Sequence, residues 1–450
     1  MATQGAARID VELALRQESD PVPAGRAEQI AAVLPKGVLF ATSARVAGQP
    51  PAEQARVPQM EWALTSAWPY QGRTATGSAA VHYAAGHERL VRPMILADGF
   101  GYGPSDVRSL WHHLNTPYPP HQQRLLDQLL AQGIDVVLLG FGARHTHIQA
   151  NAGVAATCIR RAISEQAGNA PLVVGGLGMG GLVTRYALAE MENRGEDHQT
   201  ATYLSYDAPH NGAWIPLILQ QLAYFAQALS PAEPGQAALI ASPAAQQLLW
   251  AWVESGRYSG PVATSSPLRT EFLADLRRVG WFPVRPRKLG VANGAADGTG
   301  RNVPPDHLVF EWSELGGLVG ATVRTQPERG LNRHLGGMRA VPMWASKSYT
   351  SDVGAFDGVP GGTLPLYGML ADQLGAPIAG RYRSTCFVPS VSAVALQYDP
   401  LEWPIDLYTD ITSLSPEQSQ LDDYQCDSHN SEHGQVTGVL ADWILGQLGK

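Results

Sequence analysis

From residue 60 onward the chain alternates short apolar runs with longer stretches of helical spacing. Residues 60–65 and 79–84 alternate polar and apolar positions as paired strands do, with 71–77 as the turn region between them. Apolar runs of strand length follow at 92–98, 134–140, 171–174, 201–206 and 288–294, and 386–392 reads as the last strand. The segments 147–166 and 436–445 repeat their apolar positions at the spacing of a helix that packs on a sheet. Strands that alternate with helices predict an α/β chain: a mostly parallel sheet with helices on both faces. The pattern changes between 212 and 285, where amphipathic, tryptophan-containing segments predict a helical cap insertion. Residues 300–385 form a second excursion, with the glycine-rich 358–363 as a turn. The core is then 61–211 and 286–450, preceded by an N-terminal extension, 1–60, with some helix near 25–34.

The chemistry concentrates in residues 176–181, Gly-Leu-Gly-Met-Gly-Gly, placed between an apolar run and the helical 182–188. A tight strand-to-helix turn of the G-x-S-x-G kind forces its central residue to positive φ, and the flanking glycines let strand and helix approach closely. Here Gly176 and Gly180 are the flanks and Gly178 stands where serine would stand. Glycine relieves the backbone strain and supplies no hydroxyl. The same residues also spell G-x-G-x-x-G through Gly176, Gly178 and Gly181, with Asp207 after the next strand, so a dinucleotide-binding turn is an alternative, as is a glycine turn without chemistry.

Residues 178–186, Gly-Met-Gly-Gly-Leu-Val-Thr-Arg-Tyr, resemble the S-M-G-G-L-V-x-R-Y of lipase- and esterase-like α/β-hydrolases, and 207–212, Asp-Ala-Pro-His-Asn-Gly, resemble the T-P-H-x-G that follows their next strand. The resemblance runs from about Arg92 to the C-terminus. It implies an α/β-hydrolase fold with a helical cap and a serine ester hydrolase whose nucleophile position is Gly178. It also implies an oxyanion hole from the N–H of Met179 and that of Phe100 or Gly101 in the loop after the third strand. The general base would precede the C-terminal helix: His433, in Asn-Ser-Glu-His, resembles the family's context, with His429 in reserve. The acid implied is Asp297, in a turn that resembles G-x-x-D-G-T, with Asp352, Asp357 and Asp427 open. Position 178, Asp297 and His433 then follow the Ser, Asp, His order of this fold. Over such a site the cap residues Trp214, Leu217 and Tyr224 would line a pocket for a hydrophobic ester or acyl substrate.

At 450 residues, 44% hydrophobic and 16% charged, the chain has the composition of a globular enzyme with a large core. A net charge of −8 without a basic cluster argues against nucleic acid as a partner, and no run reaches the ~18 apolar residues of a membrane span. Three cysteines make no disulfide framework, and the charged N-terminus lacks the apolar core of a signal peptide, which together predict a cytoplasmic protein. No metal or cofactor is called for, and the oligomeric state is open. Besides an ester hydrolase with an altered nucleophile, by engineering or divergence, two readings stand: a native non-hydrolytic catalyst (cyclase, lyase or isomerase) with His433 as base, and a ligand-binding pseudoenzyme.

Overall fold

The computed structural model describes residues 56–449 apart from 119–122, 230–235, 255–264, 330–332, 341–343 and 351–352, together with Gln29 and Ala32. Those two are helical, as expected near 25–34; the rest of the expected N-terminal extension before 56, and the candidate Asp352, lie outside the described residues.

Seven strands come first: β1 (Met60–Thr65), β2 (Thr76–His82), β3 (Pro93–Ala97), β4 (Asp135–Phe141), β5 (Leu172–Leu177), β6 (Thr200–Tyr206) and β7 (Arg287–Ala295). Interleaved are helices α1 (Val107–Leu114), α2 (Leu125–Ala131), α3 (Ile148–Glu165) and α4 (Met179–Asn193). In the insertion lie α5 (Leu217–Leu229), α6 (Gln236–Ile240), α7 (Pro243–Leu248) and α8 (Pro267–Arg278). Strands β8 (Leu308–Glu314), β9 (Val319–Arg324), β10 (Arg333–Ala340) and β11 (Trp344–Thr350) follow, then β12 (Gly361–Leu364), α9 (Leu366–Leu374), β13 (Thr385–Pro389), α10 (Ser390–Ala393), β14 (Asp423–Asp427) and α11 (Gly438–Leu448).

The central sheet has the order β1-β2-β4-β3-β5-β6-β7-β14. Strand β2 is antiparallel to both of its neighbours, and every pairing from β4 to β14 is parallel. Parallel strands need long crossovers, and the helices that make them cover both faces. This is why β3 and β4 are buried along their whole length and read as continuous apolar runs. Successive side chains of β4 point to opposite faces: Val137 and Leu139 join the core under α3 and α4, while Val136 and Leu138 join that formed by α1, α2 and α11. At the edge, β1 keeps the half-buried alternation of its sequence.

Two expectations for the second half are corrected. Residues 385–389 are not the last strand of the main sheet: β13 pairs antiparallel with β12 in a separate two-stranded sheet, and β14 closes the main sheet against β7. The glycine-rich 358–363 is not simply a turn either, since β12 begins at Gly361. A side chain there would come within 2.3 Å of Val388 O and 2.7 Å of Cys386 Sγ, so glycine permits a strand pairing that other residues would block. The excursion after residue 300 builds a four-stranded antiparallel sheet, β11-β10-β9-β8, against which α5 packs, with Ile218 over Gly336.

The insertion residues expected to line a pocket lie in or against the main core. Trp214 and Leu217 are fully buried in the main core, the Trp214 indole donating to Asp357 Oδ1 at 2.9 Å, and Tyr224 is partly buried against the same core. All three cysteines are free and buried. Among the described residues no helix is long and apolar enough to cross a membrane.

Candidate active site

The elbow begins where β5 ends. Gly178 has φ +53 and ψ −118 and caps α4, whose first residue, Met179, carries an N–H that has no intrahelical acceptor. The flanking glycines are required by contact. A Cβ on Gly176 would lie 2.4 Å from the carbonyl carbon of Gly180, and one on Gly180 would lie 2.3 Å from Ala97 O and 2.6 Å from Asp98 O. The first turn of α4 is thereby seated against the end of β3, where the loop with Phe100 and Gly101 begins. Both of these residues are buried, and the Arg144 guanidinium presses on Gly101 while its Nη2 donates to Tyr102 O at 3.0 Å.

His433 meets this elbow from the loop between β14 and α11. A Cβ on Gly178 would stand 2.7 Å from its Nε2, so the imidazole reaches into the space where a side chain at 178 would start. Its Nδ1 is 2.6 Å from Asp207 Oδ2, its backbone N–H donates to Thr363 O at 2.8 Å, and the Phe387 ring meets it edge-on at 5.0 Å. Both members of the pair are buried, at 2% and 0% exposure, which removes water as a competitor for the hydrogen bond.

The carboxylate on His433 is therefore that of Asp207, at the end of β6, and not that of Asp297. Asp297 is exposed, and its carboxylate accepts the Thr299 N–H at 2.9 Å in a self-contained turn, which holds it below the usual carboxylate range. Of the other candidates, Asp357 accepts from Trp214, Tyr367 and the Gln326 N–H, and burial raises its carboxyl. Asp427 serves Ser428 and Ser431, and His429 is exposed beside Ser428.

Asp207 is held by features that sequence patterns do not display. It adopts φ +47, a left-handed conformation uncommon outside glycine and most tolerated by Asp and Asn. Its Oδ1 accepts the Asn293 N–H at 3.1 Å, and Gly362 packs so tightly that a Cβ there would fall 2.1 Å from Oδ2. Asn293 also fixes the histidine loop: Oδ1 accepts from Gly434 N at 2.8 Å, while Nδ2 donates to Ser431 Oγ and Gln435 O. The buried charge is felt nearby, since Cys426 is pushed up to about 12 by burial first and by Asp207 and Asp427 next.

A serine–histidine contact, Ser205 Oγ to His210 Nε2 at 2.8 Å, lies in the core rather than at the elbow. Burial first, then the adjacent Arg185, holds His210 well below its ordinary value, and the Arg185 guanidinium lies 3.6 Å over the Phe282 ring. The Arg and His of the two sequence patches thus brace α4 against β6. The G-x-G-x-x-G glycines are likewise taken up internally. Gly176 meets Gly180, Gly178 faces His433, and a Cβ on Gly181 would touch Ala208 at 2.6 Å. Among the described residues no cluster of potential metal ligands occurs.

No family model and no curated protein matches the chain. Among solved structures it is similar to an esterase from Pyrobaculum calidifontis, at 13% identity over 61% of this chain and 76% of that one, TM-score 0.30. It is similar also to EstE1, a thermophilic carboxylesterase cloned from a metagenomic library (12%, 60% and 74%, TM-score 0.31). Est1E from Butyrivibrio proteoclasticus is a third (13%, 35% and 55%, TM-score 0.24), and the chain spans little more than half of its length. The fold is that of the α/β-hydrolases. The strand order, the antiparallel β2 and the helix that starts directly after β5 carry that assignment.

Proposed function

We propose that this chain is a lipase- or esterase-like ester hydrolase scaffold for a hydrophobic ester or acyl substrate, with glycine at the nucleophile position and Asp207–His433 as its acid–base pair. The observation that carries this reading is the Cβ position of residue 178, 2.7 Å from His433 Nε2, while Nδ1 of the same ring is 2.6 Å from a buried carboxylate. Asp207 keeps the proton on Nδ1 and leaves the Nε2 lone pair directed at residue 178, the arrangement that a hydroxyl nucleophile requires. With serine there, Oγ would attack the ester carbonyl as its proton passes to Nε2. The Met179 N–H and an N–H of Phe100 or Gly101 would receive the oxyanion, and the imidazolium would protonate the departing alcohol. With glycine the acyl-enzyme cannot form.

Gly178→Ser tests this. Deleting a nucleophile of this kind costs ~10⁶ in rate, so restoring it is expected to raise hydrolysis of a short-chain aryl ester at least ~10³-fold and to allow labelling by a serine-reactive phosphonate at residue 178. His433 must withdraw to admit the new Cβ, which would otherwise stand 2.7 Å from Nε2. A folded Gly178→Ser protein with neither turnover nor label would overturn the reading.

The retained pair, reaching into the space of the missing hydroxyl, also supports a second reading: base catalysis without a covalent intermediate, with His433 taking a proton from water or from the substrate. On that reading Gly178→Ser lowers turnover and His433→Ala abolishes it in the parent chain.

A further inference from the structure

A cleft of about 520 Å³ opens beside the short helical turn Phe356–Gly358, away from the elbow. Phe356, Val359, Trp403, Ile405, Leu407 and Tyr408 form its apolar walls, and none of Gly178, Asp207 and His433 lines it. This volume suits a ligand of a few rings. The aromatic wall is set in advance: Trp403 packs on Trp250, Phe356 and Tyr398 with centroids at 5.5, 5.8 and 5.7 Å, and its indole N–H donates to Pro400 O. It does so at φ +49, a conformation that a bulky side chain adopts only where its surroundings hold it and that recurs where ligands are clamped.

The charges point to an uncharged occupant. Exposed Glu328, Arg329 and Asp406 border the cleft with neither sign clustered, and the Asp406 carboxylate already accepts the Tyr408 N–H. The wall also continues to the catalytic pair. Three residues after Val359, Gly362 lies against the Asp207 carboxylate, and the next carbonyl, Thr363 O, accepts the His433 N–H.

The geometry points to a binding site for an uncharged, ring-bearing apolar small molecule, bounded by Ile405, Tyr408 and the largely buried Trp403 and Phe356, whose occupancy stiffens the segment 356–363 that holds Asp207 and His433. This goes beyond the ester-hydrolase reading and does not depend on turnover. The test titrates the intact chain with N-phenyl-1-naphthylamine, a neutral apolar fluorophore. Saturable one-to-one binding with energy transfer from tryptophan is expected. Ile405→Asp and, as a milder change at an exposed wall residue, Tyr408→Ala are expected to weaken binding at least tenfold. Val439→Asp, on the exposed face of α11, should leave it unchanged, with melting temperatures measured for all three. Hydrogen exchange with the probe bound is expected to slow in 356–364 and 431–434 as well as 401–408. Absent saturation, or affinity unchanged in folded Ile405→Asp and Tyr408→Ala, overturns the site. Tighter binding of the anionic 1-anilinonaphthalene-8-sulfonate overturns the uncharged class, and protection confined to 401–408 overturns the link to His433.

Discussion

A single contact divides what could be read residue by residue from what could not. Gly178 and His433 are recognisable from local patterns, a glycine turn between strand and helix and a histidine just before the last helix, and the fold brings them together. Asp207 stands in a patch that the sequence makes conspicuous, yet its partner lies 226 positions away, and no spacing rule reports a contact of that range. The turn at Asp297 offers a more familiar setting for an acid, and its local hydrogen bond to Thr299 is what such turns make on their own account. The two aspartates make opposite predictions. In the Gly178→Ser background, Asp207→Asn preserves size and backbone preference but fixes the wrong imidazole tautomer, so kcat is expected to fall by about 10⁴. Asp297→Asn should leave kcat within about twofold of that background, as expected of an exposed residue remote from the reacting atoms. Steady-state kinetics on one aryl ester decide between them.

Among the elements, legibility follows burial. Strands β3 and β4 were readable because a parallel strand covered on both faces is a nearly unbroken apolar run. Strand β14, Asp-Tyr-Gln-Cys-Asp, lies at the sheet edge and is largely half-buried, so it carries no such run. Strands β8 to β11 include the glycine- and arginine-containing Arg-His-Leu-Gly-Gly-Met-Arg-Ala of β10, whose character comes from its neighbours rather than from its own preference. The junction of β3 with α4 is where element packing and site meet. Gly180→Ala puts a methyl 2.3 Å from Ala97 O, a backbone atom with no flexible end to yield. The substitution is expected to cost roughly 1–3 kcal/mol by overpacking, despite alanine's better helix propensity. In the Gly178→Ser background it should also reduce kcat more than it raises KM, because the proposed oxyanion donor, the Met179 N–H, would shift. Urea denaturation and initial rates measure the two effects.

For the whole molecule, four histidines contribute to the response to acid. Burial holds His82 down to about 4, with Arg56 adding to the effect, and it lowers His145, His147 and His210 in the same direction. Each is kept neutral by the fold, whereas the unfolded chain takes up protons near pH 6.5. The stability associated with His82 is thus complete above pH 6.5 and is lost as pH falls toward 4, by an amount on the order of 3 kcal/mol. His82→Phe, which keeps a ring against Trp111 at the site of the tilted 4.2 Å ring contact, is expected to flatten the fall in melting temperature between pH 6.5 and 4.5. An unchanged slope would exclude His82 as a source of the acid sensitivity.

The positive φ of Gly178 bears on how complexes of this protein are to be obtained. An L-residue at that position holds its backbone in a disfavoured region at a cost of about 1–3 kcal/mol, so a turnover-competent derivative is expected to melt below its parent. On the proposed reading, the parent combines the sturdier backbone with an inability to acylate. Soaking it with an intact ester is the direct route to a snapshot of uncleaved substrate, with the scissile carbonyl over the glycine and the leaving alcohol toward the imidazole.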